Sequence, residues 1–133
     1  MFTVLFACVQ NAGRSQMAAA FFNAQANPSL ARAISAGTRP APRVHPEVVE
    51  AMRECGVELS GVRPRPVTPE LIASAQLLVT MGCGEGCPAG PGVPREDWPL
   101  ANPDGEAAEA VRAIRDEIRE RVRRLIESER WSG

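Results

Sequence analysis

Three short apolar runs constrain the fold of this chain more than any other feature of its sequence. They cover residues 3–8, 32–37 and 75–81, and each is continuous rather than alternating. Continuous apolar runs of this length are typical of strands that are buried on both faces of a parallel sheet. A weaker run at residues 96–100 predicts a fourth, short strand.

Helical patterns separate these runs. They are predicted over residues 15–26, 46–56 and 68–75, where Pro46 and the pair Thr68-Pro69 occupy positions favoured at helix starts. The strongest pattern lies near the end of the chain, where apolar residues recur every three or four positions: Val111, Ile114, Ile118, Val122 and Leu125. The alternation of strand and helix predicts a single α/β domain over residues 1–133, with a parallel sheet and right-handed crossovers.

Composition excludes several classes of function. The formal net charge is −1 and all 15 basic residues are arginines, so neither a nucleic-acid-binding surface nor Schiff-base chemistry is expected. No segment is long and apolar enough to cross a bilayer, and the first residues do not resemble a signal peptide. We therefore expect a cytoplasmic protein with no membrane partner. Its four cysteines, Cys8, Cys55, Cys83 and Cys87, are then not a structural disulfide framework.

The first strand ends at Cys8, and the residues that follow, CVQNAGRS, predict an anion-binding loop. We call residues 8–15 the Cys8 loop. Ligands of α/β sheets bind beyond the carboxyl ends of the strands, and N–H groups that lead into a helix favour both an oxyanion and a thiolate. Arg14 can bind two oxygens of such an anion, and Ser15 can donate a hydrogen bond to the Cys8 sulfur. With Cys8 as nucleophile, the predicted oxyanion-binding residues are Val9, Gln10, Asn11, Ala12, Gly13, Arg14 and Ser15.

These residues resemble the low-molecular-weight phosphotyrosine phosphatase family. Within that family, CVQNAGRSQMA is more similar to the arsenate reductases than to the phosphatases. The resemblance continues in order along nearly the whole chain, through SAGT, HPEVVEAMRECGVELS, LLVTMGCGEGCP, DWPLANPDG and VRAIRDEIRERV. It implies a four-stranded parallel sheet flanked by helices, with Cys8 as the nucleophile, Arg14 and the loop amides as the oxyanion site, and Asn11 and Ser15 shaping the loop.

Cys83 and Cys87 are further functional candidates, within the glycine-rich string MGCGEGCP. Cys83 follows the third strand, so it should lie at the same sheet edge as Cys8. The resemblance implies a relay in which Cys8 attacks arsenate, Cys83 attacks Cys8, and Cys87 attacks Cys83. Thioredoxin or a similar dithiol protein would then reduce the Cys83–Cys87 disulfide. Because these two cysteines are closer together than in thioredoxin-coupled relatives, reduction by mycothiol with a mycoredoxin-type protein stays open.

Two positions depart from the family pattern. Phosphatases of this fold carry an Asp-Pro pair on a late loop, where the Asp protonates the leaving group. Here the matching pair is Asn102-Pro103, and an amide cannot act as a general acid. Asp97 and Asp104 lie nearby but out of register. Some of the reductases bind a monovalent cation through a Glu on the first helix, and the matching residue is Ala19, so we expect no such site.

The resemblance thus implies an arsenate reductase that also binds phosphate and sulfate, and we expect no cofactor and no metal. Two alternatives stay open. A phosphatase would act on phosphotyrosine or a small phosphate ester through a Cys8 phosphoenzyme. A non-enzymatic redox or metal-sensing module would use Cys83 and Cys87, although a zinc site would need two more ligands. The only histidine, His45, is predicted at a helix start, and Cys55 is predicted to be a core thiol.

Overall fold

The computed structural model describes residues 1–82, 90 and 92–132. Its strands and helices follow the predicted order: β1 (Phe2–Cys8), α1 (Arg14–Gln25), β2 (Ala31–Gly37), α2 (Pro46–Arg53), α3 (Pro69–Ala73), β3 (Leu77–Thr80), β4 (Arg95–Asp97) and α4 (Ala108–Ser128). The strands form one four-stranded sheet in the order β2-β1-β3-β4, and every pairing is parallel. The predicted fold class is therefore confirmed. None of the helices in these residues is long and apolar enough to cross a membrane.

The burial of β1 explains why its sequence is continuously apolar. Successive side chains of a strand point to opposite faces of the sheet. Val4 and Phe6 contribute to the main core, together with apolar residues of α1, α2 and α4. Leu5 and Ala7 contribute to a smaller core that includes residues of α3 and of the turn after it. Because both faces are covered, every residue of β1 after Phe2 is buried.

The fourth strand differs from its prediction. It is only three residues long, Arg95–Asp97, and all three are exposed. Trp98, predicted as part of the strand, is buried directly after it. Its backbone N–H donates to Thr80 O at 2.7 Å, and its ring lies 5.6 Å from that of Phe6. The next residue is Pro99, which has no N–H for a further ladder bond, so the strand pairing ends there.

Two helices end earlier than their patterns predict, α2 at Arg53 and α3 at Ala73. The turn after α2 places Gly56 at a φ of 77°, a conformation that favours glycine. The predicted N-cap of α3 is confirmed, because the Thr68 hydroxyl accepts the N–H of Leu71 at 3.1 Å. Cys55 is only half-buried; it packs against the main core, and Arg119 Nη1 lies 3.8 Å from its sulfur. Cys55 thus belongs to the edge of the core, with part of its side chain exposed, whereas a core thiol was predicted.

An ion-pair network joins the end of α2 to α4. The Glu54 carboxylate accepts hydrogen bonds from Arg112 at 2.8 Å and from Arg115 at 2.7 Å. Arg115 is nearly buried and also donates to the Ala51 carbonyl at 2.8 Å. Hydrogen bonds from Arg112 first, and from Arg115 second, lower the pKa of Glu54 from 4.5 to about 2. Glu54 therefore keeps its negative charge to a more acidic pH than an unpaired glutamate does.

The beginning of β1 and the segment after α4 lie side by side. The ring of Trp131 is 4.7 Å from that of Phe2 and 5.6 Å from that of Phe22. The Trp131 carbonyl accepts the N–H of Asn27 at 2.7 Å. Aromatic packing of this kind adds on the order of 0.5–1.5 kcal/mol per pair beyond simple burial, so the Trp131 segment is a structural part of the core.

Candidate active site

The sheet places the Cys8 loop at its centre. Cys8 is the last residue of β1, the central strand nearest β2, and its Cα pairs with Gly37 of β2. A Cβ atom on Gly37 would lie 2.6 Å from Val9 O and 2.9 Å from Asn11 N. Only a glycine therefore allows the loop to pass this close to the end of β2. The loop then enters α1 at Arg14.

The backbone of the Cys8 loop is oriented for an anion. All carbonyl groups of residues 8–13 accept hydrogen bonds, and their donors are the N–H groups of Thr38, Arg39, Ala41, His45 and Met17 and the side chain of Gln16. In contrast, the N–H groups of residues 9–13 donate to no acceptor in the part of the chain that the structure describes. A loop whose carbonyls are all engaged elsewhere and whose N–H groups are free presents a positive surface to a ligand. It is the loop for which the sequence predicts an oxyanion site.

Asn11 determines the shape of the loop. It is fully buried and takes a φ of 50°, in the left-handed region that asparagine tolerates better than most residues. Its carboxamide oxygen accepts the backbone N–H of Arg65 at 3.0 Å and Nε2 of Gln16 at 3.2 Å. Its Nδ2 donates to the Ser15 hydroxyl oxygen at 2.7 Å. These contacts fix which end of the carboxamide faces Ser15.

The orientation of Asn11 has a chemical consequence for Cys8. Because Asn11 Nδ2 donates to Ser15 Oγ, the Ser15 hydroxyl hydrogen is free to point elsewhere. The Cys8 sulfur lies 3.0 Å from Ser15 Oγ; either group can donate while Cys8 is a thiol, and Ser15 is the donor to a Cys8 thiolate, which carries no hydrogen. The thiolate is the form of cysteine that acts as a nucleophile.

Arg14 lies on the other side of the loop and is also buried. Its Nη1 donates to the Leu100 carbonyl at 3.1 Å. Gly82, two residues after the end of β3, takes a φ of 76° beside this guanidinium. A Cβ atom on Gly82 would overlap Arg14 Nη1 and would lie 3.0 Å from Leu100 O. Two backbone segments therefore enclose the guanidinium and set the direction in which it meets a ligand.

The late loop (residues 98–107) approaches the Cys8 loop through Pro103. A Cβ atom on Gly13 would lie 2.8 Å from Pro103 Cγ, so the two loops are in contact. The neighbouring Asn102 carboxamide accepts the N–H of Asp104 at 3.0 Å. The carboxylate of Asp104 lies 3.6 Å from His45 Nδ1. The residue beside Pro103 in the sequence is therefore an amide, and the nearest carboxylate along the chain is paired with a histidine.

Asp97, the other carboxylate considered from the sequence, is also engaged. It accepts a hydrogen bond from the Thr80 hydroxyl at 2.8 Å, across the β3–β4 pair. Asp97 is exposed at the sheet edge. Neither Asp97 nor Asp104 is thus an unengaged proton donor.

Comparison with known proteins identifies the family of the chain. The model of the low molecular weight phosphotyrosine protein phosphatase family matches residues 3–86, more than half of the chain. The chain belongs to this family.

Three relatives illustrate the range of the family. A curated protein of Halobacterium salinarum, named "Putative arsenate reductase", is 43% identical over 121 residues, which is 88% of this chain and 85% of that protein. The structure of a thioredoxin-dependent arsenate reductase from Corynebacterium glutamicum superposes with a TM-score of 0.82 at 41% identity; it matches 96% of this chain, which spans 61% of that structure. An arginine phosphatase from Geobacillus stearothermophilus superposes with a TM-score of 0.84 at 25% identity, over 98% of this chain and 94% of that one. The two solved structures share the fold of this chain, whereas its sequence is closer to the two proteins named as arsenate reductases than to the arginine phosphatase.

The predicted relay cysteines, Cys83 and Cys87, lie outside the described residues. The structure therefore tests neither their role in this family member nor the alternative of a zinc site built on them. Within the described residues, His45, Glu47 and Asp104 bring their ligand atoms within 4.8 Å of one another. The imidazole there contacts Gln10 through Nε2 and faces Asp104 through Nδ1. We interpret this group as polar contacts of the imidazole and assign no metal to it.

Several residues of the site were not predicted from the sequence. Gln16 and Arg65 bind the Asn11 carboxamide, His45 contacts Gln10, and Gly82 packs against Arg14. Arg65 gave no signal, because it acts through its backbone N–H, which every residue except proline has. For Gln16 a signal existed: a buried asparagine needs polar partners, and the first turn of α1 is the nearest place to look for one.

Proposed function

We propose that the protein is an arsenate reductase that uses Cys8 as its nucleophile. The observation that carries this proposal is the Cys8 loop, where a buried sulfur lies 3.0 Å from Ser15 Oγ, beside a buried arginine and a row of N–H groups that have no acceptor among the described residues. Such a site binds a tetrahedral oxyanion and attacks it in the same place. Identity of 43% and 41% to proteins named as arsenate reductases supports arsenate as the oxyanion that is turned over.

The proposed chemistry begins when the Cys8 thiolate attacks arsenic(V) and displaces one oxygen, which leaves as water after protonation. The Cys83 thiolate then attacks the Cys8 sulfur and forms a Cys8–Cys83 disulfide. The electron pair of the broken S–As bond stays on arsenic, which leaves as arsenite. Cys87 next attacks Cys83, releasing Cys8 as a thiolate and forming a Cys83–Cys87 disulfide. Two thiols are thereby oxidised for each arsenic reduced by two electrons.

A dithiol protein of the thioredoxin type is the proposed final reductant, because the reductase from Corynebacterium glutamicum is named thioredoxin-dependent. Mycothiol with a mycoredoxin-type protein is the alternative. Either reductant requires a reducing compartment, and we therefore propose that the protein acts in the cytoplasm.

The alternative function, phosphate ester hydrolysis, is less well supported by the late loop. Hydrolysis of an ester needs a proton for the leaving alcohol, and a general acid typically contributes 10²–10⁴-fold. Asn102 cannot supply that proton, Asp104 faces His45, and Asp97 is bonded to Thr80. Arsenate reduction depends less on such an acid, because arsenate oxygens leave more readily than an alcohol.

The test supplies arsenate with thioredoxin and thioredoxin reductase, and separately with mycothiol and mycoredoxin, and measures arsenite formed. We expect arsenite production that is lost in Cys8→Ser. Cys83→Ser should bind oxyanion but release no arsenite with thioredoxin. Cys87→Ser should complete one turnover and stop as a Cys8–Cys83 disulfide, visible as the loss of two thiols by mass spectrometry. Cys55→Ser is the matched control, because Cys55 lies between α2 and α4.

Each outcome separates the possibilities. Arsenite production by Cys8→Ser would end the proposed mechanism. Normal cycling of Cys87→Ser with thioredoxin would remove Cys87 from the relay, and normal cycling of both loop variants with mycothiol would favour the external-thiol route. Aryl phosphate hydrolysis without any arsenate-dependent oxidation of reductant would favour the phosphatase, and zinc copurifying in equal ratio would favour a metal-sensing module.

A further inference from the structure

Among the described residues, Gln16 is the only one that holds a carbonyl group of the Cys8 loop with its side chain. Its Nε2 donates to Asn11 O at 3.0 Å. The other five carbonyls of residues 8–13 accept backbone N–H groups, which every substitution except proline retains. Gln16 lies in the first turn of α1, and only 4% of it is exposed. Its contact is therefore the part of the support of this loop that an ordinary substitution can remove.

Backbone groups determine which way the carboxamides of Gln16 and Asn11 face. Asn11 O is a carbonyl oxygen and can only accept, so the Gln16 atom 3.0 Å from it is the NH2 nitrogen. The backbone N–H of Arg65 can only donate, so the Asn11 atom 3.0 Å from it is Oδ1. The Gln16 NH2 group also lies 3.2 Å from this Oδ1. One NH2 group therefore donates to both oxygens of Asn11, the main-chain oxygen and the side-chain oxygen.

The bond to Asn11 O determines where the next N–H group points. A peptide unit is planar and trans, so its C=O and N–H groups point in opposite directions. Because Asn11 O faces Gln16, the N–H of Ala12 in the same peptide unit points away from Gln16. Ala12 is fully buried, and its N–H donates to no acceptor in the part of the chain that the structure describes. This N–H group is therefore available to a ligand of the loop.

The bond to Asn11 Oδ1 holds a residue that has an unusual backbone conformation. Asn11 has a φ of 50°, in the left-handed region that few residues other than glycine adopt. Such a conformation persists only where the surroundings maintain it. By donating to both oxygens of Asn11, Gln16 fixes the main chain and the side chain of this residue relative to each other. The Asn11 Nδ2 then faces Ser15 Oγ at 2.7 Å.

We propose that Gln16 is a positioning residue of the oxyanion site, which directs the Ala12 N–H at the bound anion by holding Asn11 in its left-handed conformation. Without a donor at position 16, the peptide unit between Asn11 and Ala12 is free to turn, and a turned unit presents a carbonyl oxygen to the anion. Gln16 itself does not contact the anion in this arrangement. This inference rests on the proposed oxyanion site and assigns to it a residue outside the Cys8 loop.

The test uses the full chain, kept reduced, with sulfate as the probe, because sulfate is a tetrahedral oxyanion that thiols do not reduce. Backbone amide resonances are followed by two-dimensional NMR during a sulfate titration. In the wild type, the Ala12 amide proton should move downfield, because its N–H gains a charged acceptor.

The variant is Gln16→Met, which keeps an unbranched side chain of similar length but has no donor. The movement of the Ala12 amide proton should shrink by about half or more, because a hydrogen bond weakens steeply when it is misaligned. Sulfate affinity should fall by about tenfold, the effect of losing one hydrogen bond to a charged group.

Asn23→Leu is the matched control. Asn23 lies on the same helix, where its Nδ2 donates to Ala33 O at 3.0 Å and its Oδ1 accepts the N–H of Ala33 at 2.8 Å. Each variant thus removes two hydrogen bonds of one carboxamide, and the free energy of unfolding, measured with urea, should fall in both. Only Gln16→Met should change the sulfate affinity and the response of the Ala12 amide.

Two results would overturn this inference alone. The first is a Gln16→Met protein that is less stable but keeps the sulfate affinity and the Ala12 response of the wild type, because Gln16 would then have only a structural role. The second needs no variant: saturating sulfate that moves the other loop amides of the wild type but leaves Ala12 unchanged. If sulfate moves no amide of the Cys8 loop, the oxyanion site itself is wrong, and the proposed function with it.

Discussion

The substitution Gly82→Ala isolates the contribution of one guanidinium to the oxyanion site. Gly82 has a φ of 76°, which costs a non-glycine residue about 1–2 kcal/mol. In addition, the new methyl group would overlap Arg14 Nη1 and lie 3.0 Å from Leu100 O. The Leu100 carbonyl is backbone and cannot move cheaply, whereas the end of an arginine side chain can. We therefore expect Arg14 to move, and the fold to survive.

The magnitude follows from what Arg14 loses. A hydrogen bond to a charged group contributes about 1.5–3 kcal/mol, and 1.4 kcal/mol corresponds to a factor of ten. A displaced guanidinium that loses one such bond to the anion should therefore weaken oxyanion binding by roughly 10- to 150-fold. The assay is the phosphate concentration that half-protects Cys8 from iodoacetamide, measured on the Cys8 peptide by mass spectrometry. This readout needs neither Cys83 nor Cys87.

Gly56→Ala is the matched control. Gly56 has a φ of 77°, and a Cβ atom there would meet nothing within 4 Å. Both variants should lose about the same 1–2 kcal/mol of unfolding free energy, but only Gly82→Ala should lose oxyanion affinity. If phosphate half-protects Cys8 at the same concentration in both variants, Gly82 does not set the position of Arg14.

Three other substitutions give separate tests. Arg14→Lys should reduce kcat/KM for arsenate by at least about tenfold, because an ammonium cannot make a bidentate contact; a near-normal value would exclude a bidentate role. Asn102→Asp should raise aryl phosphate hydrolysis at mildly acid pH, by less than the 10²–10⁴-fold of a well-placed acid, and leave arsenate reduction equal or lower. The measurement is rate against leaving-group pKa, and a wild type that is already insensitive to it would contradict our interpretation of Asn102. Glu54→Gln should lower the free energy of unfolding at neutral pH and flatten its pH dependence between about pH 4.5 and about pH 2. The reason is that the lowered pKa of Glu54 stabilises the fold above pH 4.5, and this stabilisation is lost as the pH falls toward 2. Plots of urea midpoint against pH that run parallel for the two proteins would contradict the network with Arg112.

The sequence predicted the features that depend on residue type along a single element. The apolar run of β1 predicted a strand buried on both faces, and the position of Cys8 at its end predicted the site. The Ser15 hydroxyl beside the sulfur was also predicted, since a residue in the first turn of α1 must lie close to the loop that enters it. The buried strand and the contact between Ser15 and Cys8 are both present in the structure, because burial and helix geometry act over a few neighbouring residues.

Features that depend on contacts between distant segments could not be predicted in the same way. The contact between His45 and Gln10 joins residues 35 positions apart, and the contact of Gly82 with Arg14 joins the segment after β3 to the first residue of α1. The pattern at residues 96–100 predicted a longer strand than is present, because an apolar Trp98 looks the same whether it extends a strand or anchors a turn. Only the packing of Trp98 against Phe6 decides between the two.

The contact between Trp131 and Phe2 has a practical consequence for immobilising this enzyme. It lies at the amino-terminal edge of the sheet, whereas Cys8 lies at the opposite end of the same strand. Seven strand residues at about 3.3 Å each separate the two edges by roughly 20 Å. A probe or surface tether attached beside Phe2 or Trp131 would therefore leave the Cys8 loop uncovered.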